Sequence, residues 1–342
     1  MNHIRVLLVF GGESSEHDVS IASARNIYAA LDDRTYDTTL CYVSRSGQWH
    51  IVDDIDRLDG KHELLVPVLG GRHFTAQPSG RQVVPQVIFS VLHGTNGEDG
   101  SVQGLAQLMH IPLVGCGLLG SAVCMDKELA KRLLVAAGIP VADFVLHRAH
   151  ETEPNFANVT AKLGVPLFVK PAGQGSSVGV SKVRTDAEFI AALRDAHKYD
   201  RKVLIEKMIV GREIECAVLG NNDPQASPLG EIKPGEDFYS YDDKYAEDSH
   251  AQVIVPADLP EDVAEQVRTM ALVVYDVLEC RGLARVDFFV TDEGQIYVNE
   301  INTLPGFTNI SMYPKLWQAT GLHYPQLVSK LIDLALEGRD AD

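Results

Sequence analysis

Long apolar runs are missing from this sequence. No stretch approaches the roughly 20 residues that a membrane span requires, and the first residues lack the apolar segment of a signal peptide. The expectation is a cytoplasmic protein with no membrane partner. Positive charge is also short: 30 lysines and arginines stand against 47 acids, a net charge of −17. That balance excludes nucleic acid as a principal partner, and any phosphate-bearing ligand must find a few concentrated cations. Cysteine is sparse as well. The five residues Cys41, Cys116, Cys124, Cys216 and Cys280 are odd in number and form no C-x-x-C pair. They sit in apolar stretches such as REIECAVL, which reads as reduced, buried thiols. There is no G-x-x-x-x-G-K-[ST], so a Walker-type phosphate loop is excluded.

What is present describes an ordinary globular α/β protein. A length of 342 residues with 45 % hydrophobic and 23 % charged residues suffices for two or three domains. IRVLLVF (4–10), closed by Gly11-Gly12, reads as a buried parallel strand. A helical pattern runs on to about Leu31, YDTTLCYV and QVIFSVL are further strands, and Ser101–His110 is helical. This alternation implies an α/β domain over 1–121. The span 45–85, with mixed polarity and scattered Gly and Pro, reads as an irregular insertion. AVCMDKELAKRLLVAA (122–137) has helical spacing, with Gly138 and Pro140 as stop signals. Strands then flank a glycine-rich loop, followed by a helix near 185–198 and the strand KVLIEK. Beyond residue 209 strands mix with helices at 260–279 and 324–336, so the expected units are 1–121, 122–208 and 209–342.

GCGLLG (115–120) matches the dinucleotide fingerprint G-x-G-x-x-G. It lies far from the first strand, and Asp143 falls inside VADFVL rather than ending a second strand, so its glycines read as turn formers. A stronger constellation lies at 283–302. LARVDFFV and QIYVNEIN are strand-like runs joined by Thr291-Asp292-Glu293-Gly294. A hairpin centred on Glu293-Gly294 sets Asp287 opposite Glu300 and Arg285 opposite Asn302, all on one face. Directly opposed carboxylates repel unless a cation separates them. Oxygen donors suit Mg²⁺, which completes its shell with water and phosphate oxygens. The alternative is an exposed sheet face with solvated acids.

KPAGQGSSVGV (170–180) follows the strand PLFV. Gly173, Gly175 and Gly179 let backbone N–H groups approach a phosphate, Ser176 and Ser177 add hydroxyls, and Lys170 adds charge. The same segment also fits a flexible surface loop. Lys127 opens a helix after Met125-Asp126 and would, alone, be solvated. GEDFYSYDDKYAEDSH (235–250) holds six carboxylates, four aromatics and Lys244. It is either a lid that closes over a triphosphate or a plain surface loop.

Taken in order, GGESSEHDVS (11–20), HGTNGEDGSVQG (93–104), MDK (125–127), KPAGQGSSVGVSKV (170–183), EKMIVGREIE (206–215), FYSYDDKY (238–245), ARVDFFV (284–290) and NEINTLPGFTNISMYPKLW (299–317) closely resemble D-alanine–D-alanine ligases. The resemblance implies an ATP-grasp architecture in three domains: an N-terminal Rossmann-like substrate domain, then central and C-terminal domains that clamp ATP between two sheets. It implies ADP-forming ligation of two D-alanines through an acyl phosphate, for peptidoglycan precursor synthesis. ATP and two Mg²⁺ (or Mn²⁺) would be required, in a homodimer.

Carried onto matching positions, Glu16 accepts from the first D-alanine's ammonium and Val19 lines its methyl pocket. Ser176 and Tyr245 join Glu16 in a hydrogen-bonded set. Lys127 and Lys170 hold the α- and β-phosphates and Lys244 the γ-phosphate, while Glu206 reads adenine and Glu213 the ribose. Asp287, Glu300 and Asn302 are the metal ligands. Arg285 and the Gly306 N–H stabilise the tetrahedral oxyanion. Ser311, with Met312 beside it, grips the second carboxylate. His93 lies near that second site, as a positioning group or a general base. Relatives make D-alanyl-D-lactate or D-alanyl-D-serine, and Tyr245 is the residue that favours a dipeptide product.

Overall fold

Val6, Leu7, Leu8, Val9 and Phe10 are each at most 1 % exposed, so the first apolar run forms a strand covered on both faces, β1 (Ile4–Gly11). The computed structural model describes residues 3–233, 252–308 and 310–337. β1 ends where Gly11 adopts φ +95°, and a β-carbon there would stand 2.2 Å from the Val43 carbonyl oxygen. Only glycine fits this turn. Helix α1 (His17–Ala30) returns the chain to β2 (Tyr36–Val43), parallel to β1.

The span 45–85 is not irregular. It adds β3 (Trp49–Val52), β4 (Glu63–Val68), β5 (His73–Gln77) and β6 (Gln82–Val83), each antiparallel to its predecessor. β7 (Val87–Ser90) lies parallel to β1, giving the order β6-β5-β4-β3-β2-β1-β7. These strands are short and bury little: only Leu65 is buried in β4, and only Phe74 and Ala76 in β5. One or two apolar positions per strand do not make a readable alternation.

After α2 (Ser101–Leu108), the expected helix 122–137 is two helices, α3 (Leu118–Met125) and α4 (Lys127–Ala136). Asp126 divides them. Its backbone is extended, and its carboxylate accepts the Leu129 N–H at 3.2 Å as an N-cap. Two of the GCGLLG glycines, Gly115 and Gly120, serve close packing. A β-carbon on Gly120 would meet the Glu279 carbonyl oxygen at 2.5 Å, and one on Gly282 the Gly115 α-carbon at 3.0 Å.

The second sheet has the order β10-β9-β11-β8, all antiparallel: β8 (Phe144–Arg148), β9 (Leu167–Pro171), β10 (Ser181–Val183) and β11 (Lys202–Lys207). Helices α5 (Phe156–Leu163) and α6 (Asp186–Ala196) cover it, through Phe189, Leu193 and Val159 against Val169 and Val203. The third sheet has the order β14-β13-β12-β15-β16: β12 (Arg212–Gly220), β13 (Gln225–Lys233), β14 (Gln252–Ile254), β15 (Gly282–Val290) and β16 (Ile296–Asn302). Helix α7 (Glu261–Val277) packs Val267, Ala271 and Val274 against its Ile214, Cys216 and Val286 face.

Helices α8 (Met312–Gln318) and α9 (Tyr324–Glu337) follow. α9 returns to the first sheet: Leu327, Leu331 and Ile332 share a core with Val6, Leu8 and Ile27. All five cysteines are buried and free. Burial pushes the thiol of Cys216 up to about 12, so it stays protonated and inert. No helix among the described residues is long and apolar enough to cross a membrane.

Candidate active site

The β15–β16 hairpin produces the expected register by a different route. The Thr291 N–H bonds the Gln295 carbonyl at 2.9 Å, so the turn has three central residues, with Gly294 at φ +78°. Phe288 pairs with Val298, and a bulge at Asn299 restores Asp287 opposite Glu300 and Arg285 opposite Asn302. On its other flank Asp287 pairs with Glu215 of β12. Three carboxylates, Glu215, Asp287 and Glu300, therefore form one row across three strands.

Arg285, one pleat along, sits among them. Its Nε and Nη2 reach the two Asp287 oxygens at 2.7 Å each, and Nε lies 3.0 Å from Glu215 Oε2. Burial works against this guanidinium, but Asp287 and Glu215 outweigh it and hold its pKa well above the usual value. Glu300 Oε2 lies 3.5 Å from Lys127 Nζ on α4. The row thus has protein cations as well as the divalent ion that opposed acids suggest. Asp287, Glu300 and Asn302 offer hard oxygen donors side by side, without imidazole or sulfur. Among the described residues no three of His, Cys, Asp and Glu form a metal-holding group. Two acids and an amide fit a Mg²⁺ that takes its remaining ligands from phosphate and water.

Across the cleft, Lys170 of β9 and Lys131 of α4 converge on Glu206 of β11. Lys170 Nζ lies 2.6 Å from Glu206 Oε2, and Lys131 Nζ lies 3.1 Å from Oε1. Burial pushes the Glu206 pKa up, but the two lysines outweigh it and hold it below the usual range. Burial depresses Lys131. Lys127, Ala130, Lys131, Asn299 and Glu300 line a narrow cavity between α4 and β16. Lys127 Nζ also donates to the Gln174 carbonyl at 2.7 Å, tying α4 to the glycine-rich loop.

That loop leaves β9 with Ser176 and Ser177 at φ 50° and 60°. The Ser176 hydroxyl donates to Glu16 Oε1 at 2.5 Å, bridging loop and α1 across 160 residues. Glu16 is 9 % exposed and precedes α1, and Val19 is half-buried on the first turn. His93, 3 % exposed, has both ring nitrogens engaged. Nδ1 lies 3.1 Å from the Leu304 carbonyl and 3.6 Å from Glu98, while Nε2 meets Ser23 Oγ at 3.1 Å. Burial pulls the imidazole pKa down, yet Glu98 and Glu16 outweigh it and raise it. Ser23 Oγ also accepts the Phe307 N–H at 3.3 Å, next to Gly306.

Two family models match the chain, "D-ala D-ala ligase N-terminus" over residues 5–116 and "D-ala D-ala ligase C-terminus" over residues 133–333. The chain belongs to the D-alanine–D-alanine ligase family. It is 51 % identical to D-alanine–D-alanine ligase A of Chromobacterium violaceum, over 98 % of this chain and 96 % of that protein. Its fold matches the D-alanine–D-alanine ligase of Coxiella burnetii at a TM-score of 0.90 and 38 % identity, covering 100 % of this chain and 96 % of that one. It equally matches the VanG D-Ala:D-Ser ligase of Enterococcus faecalis, at 0.90 and 34 %, covering 98 % and 100 %. These relatives are ATP-dependent ligases, and the three-sheet arrangement is the ATP-grasp fold of D-alanine–D-alanine ligases.

Within this member of the D-alanine–D-alanine ligase family, the expected residues fall into three connected groups. Asp287, Glu300, Asn302 and Arg285 share one sheet face with Lys127 beside them. Lys170 and Glu206 form a second group, with one lysine contact on each Glu206 oxygen. Glu16, Ser176 and His93 meet at the N-terminal end of α1. Glu213 lies on β12 opposite Phe289, two residues before Glu215. Ser311 occupies the N-cap position of α8 without a side-chain bond to the helix; its Oγ accepts the Thr308 N–H at 3.1 Å, and a β-carbon on Gly306 would stand 3.0 Å from it. The Met312 side chain packs in the core against Gly230. Lys244, Tyr245 and the proposed lid 235–250 lie outside the described residues. Sequence reasoning missed Lys131, Glu215, Glu98 and Ser23 as members of these groups. Lys131 follows Lys127 by one helical turn, the one signal that could have found it.

Proposed function

We propose that this chain joins two D-alanines into D-alanyl-D-alanine with ATP, releasing ADP and phosphate. The convergence of the Asp287–Glu300 row, Arg285 and Lys127 with the Glu16–Ser176 bridge carries the reading. In the first step the carboxylate of one D-alanine, its ammonium at Glu16 and its methyl beside Val19, attacks the γ-phosphate, and ADP leaves. Lys127, Lys170 and Ser177 hold the nucleotide's phosphates, with Lys244 at the γ-phosphate. Glu213 takes the ribose, and Glu206 the adenine. Asp287, Glu300 and Asn302 would hold divalent cations, whose chemistry is charge neutralisation of the phosphates.

In the second step the deprotonated amine of the second D-alanine attacks the acyl carbon. Arg285 and the Gly306 N–H take the developing oxyanion, and phosphate leaves. The Ser311 hydroxyl and Met312 N–H bind the second carboxylate. A carboxylate becomes an acylating agent only when its oxygen leaves as phosphate, which is why ATP is consumed. His93, with both nitrogens engaged and its pKa raised, positions this second substrate rather than taking its proton.

The three ranges 1–121, 122–208 and 209–342 are the proposed units, each holding one sheet. A cytoplasmic homodimer completes the reading. The test is ADP release by the purified protein with ATP, Mg²⁺ and D-alanine, with the product identified by mass spectrometry. D-alanyl-D-alanine is the expected product. The likeness to VanG makes D-serine, and then D-lactate, the competitors to add at neutral pH. Dominant mixed product would overturn the dipeptide assignment, and no D-alanine-dependent ADP would overturn the whole.

A further inference from the structure

We infer that Asp200 is the positioning residue of the phosphate loop, an inference that rests on the nucleotide reading of that loop. The sequence suggests that the Gly173 N–H faces phosphate. In the structure it donates instead to Asp200 Oδ2 at 2.7 Å, while Asp200 Oδ1 accepts the Lys202 N–H at 3.0 Å. Both carboxylate oxygens therefore bind backbone. The turn that carries Asp200 grips the loop at two further points. Gln174 Nε2 donates to the Tyr199 carbonyl at 3.4 Å, and Gly179 lies so close to the Tyr199 ring that a β-carbon would stand 2.8 Å from it. Ala172 N–H bonds the Lys202 carbonyl at 3.0 Å, so the loop's entry is tied to the same segment.

A carboxylate beside a phosphate-binding loop opposes the ligand's charge. Its placement makes sense as geometry: it fixes Gly173, and Tyr199 fixes Gly179. The intervening residues Gly175–Val178 are left to face substrate, where Ser176 reaches Glu16. Two histidines brace this turn from behind. A carbonyl can only accept, so His197 Nδ1–H donates to the Asp200 carbonyl at 3.0 Å. His197 Nε2 in turn pairs with His147 Nδ1, 2.8 Å away. His147 is 5 % exposed, so Asp200 sits on a buried, oriented support rather than a frayed helix end.

The experiment compares Asp200→Ala, Asp200→Asn and the control Asp195→Asn in the full chain. Asp195 lies on α6, the helix that leads into this turn, and pairs with surface Lys198. Asp200→Ala should raise the KM for ATP roughly tenfold, the scale of a lost charge-assisted hydrogen bond to a preorganised loop. ADP affinity by calorimetric titration should weaken by the same factor, with D-alanine KM and thermal midpoint little changed. Asp200→Asn should fall between, since the two N–H groups bond different oxygens and the amide replaces one of these with an NH2 that cannot accept. Asp195→Asn should match the unsubstituted protein. If Asp200→Ala does not fold, Gly173→Ala displaces the loop from the same contact, because its β-carbon would stand 3.1 Å from Asp200 Oδ2. ATP and ADP affinities unchanged in the folded variant overturn the inference, as does a uniform loss of every parameter together with the thermal midpoint. The ADP titration decides this even if the unsubstituted protein shows no D-alanine-dependent turnover, which would count against the ligase reading alone.

Discussion

Protonating Glu206 would leave Lys131 and Lys170 facing each other in a buried site. The Glu206 pKa is lowered in the folded protein, so its stabilising contribution is fully present above the unfolded value of about 4.3 and is lost as pH falls through the folded value. Thermal midpoints of the protein and of Glu206→Gln, measured from pH 7 down to pH 3, should differ most at neutral pH and converge in acid. A difference independent of pH would contradict the ion-pair account. At this scale the sequence was uneven. Asp287, Glu300, Asn302 and Arg285 were legible because strand periodicity and one turn fix their neighbours. Ser23 was not, because its partners His93 and Phe307 lie 70 and 284 residues away. No local pattern encodes such a meeting.

Among the elements, the split between α3 and α4 has the clearest consequence. Asp126 caps α4, and the Lys127 N–H is thereby free to bond the Ala172 carbonyl at 3.0 Å. Asp126→Ala should cost about 1 kcal/mol of stability in urea titrations, with a weaker grip on ATP because Lys127 loses its fixed start. Unchanged stability would mean that the Lys127–Ala172 bond alone holds the helix end. A continuous helical pattern hid this break, since Asp is tolerated within a helix and signals a cap only when the chain bends. The β15–β16 hairpin is the opposite case. Its turn is one residue longer than a two-residue loop, and the Asn299 bulge offsets this, so the expected pairing is correct although the expected turn is not. In the span 45–85 the apolar positions are too few per strand to reveal that the sheet continues there.

At the scale of the whole molecule, an acidic chain gathers its cations where phosphate is expected, as Lys127, Lys131, Lys170 and Arg285 around one cleft. Asp287→Asn and Glu300→Gln should keep the fold, because each preserves the side chain's shape and Arg285 retains Glu215 as its partner, yet turnover should drop by about 100-fold, the upper end for a lost metal-site partner. ADP release and circular dichroism check the two halves of that claim, and retained Mg²⁺-dependent activity in both variants would reject the ligand assignment. The α/β alternation was legible from strand and helix order, but the return of α9 to the first sheet was not. That return affects synthesis. Leu327, Leu331 and Ile332 leave the ribosome more than 300 residues after Val6 and Leu8, which they cover. At about 5–20 residues per second, the opening sheet waits on the order of ten seconds or more for its cover. During that interval an apolar face is open to chaperones and to neighbouring nascent chains.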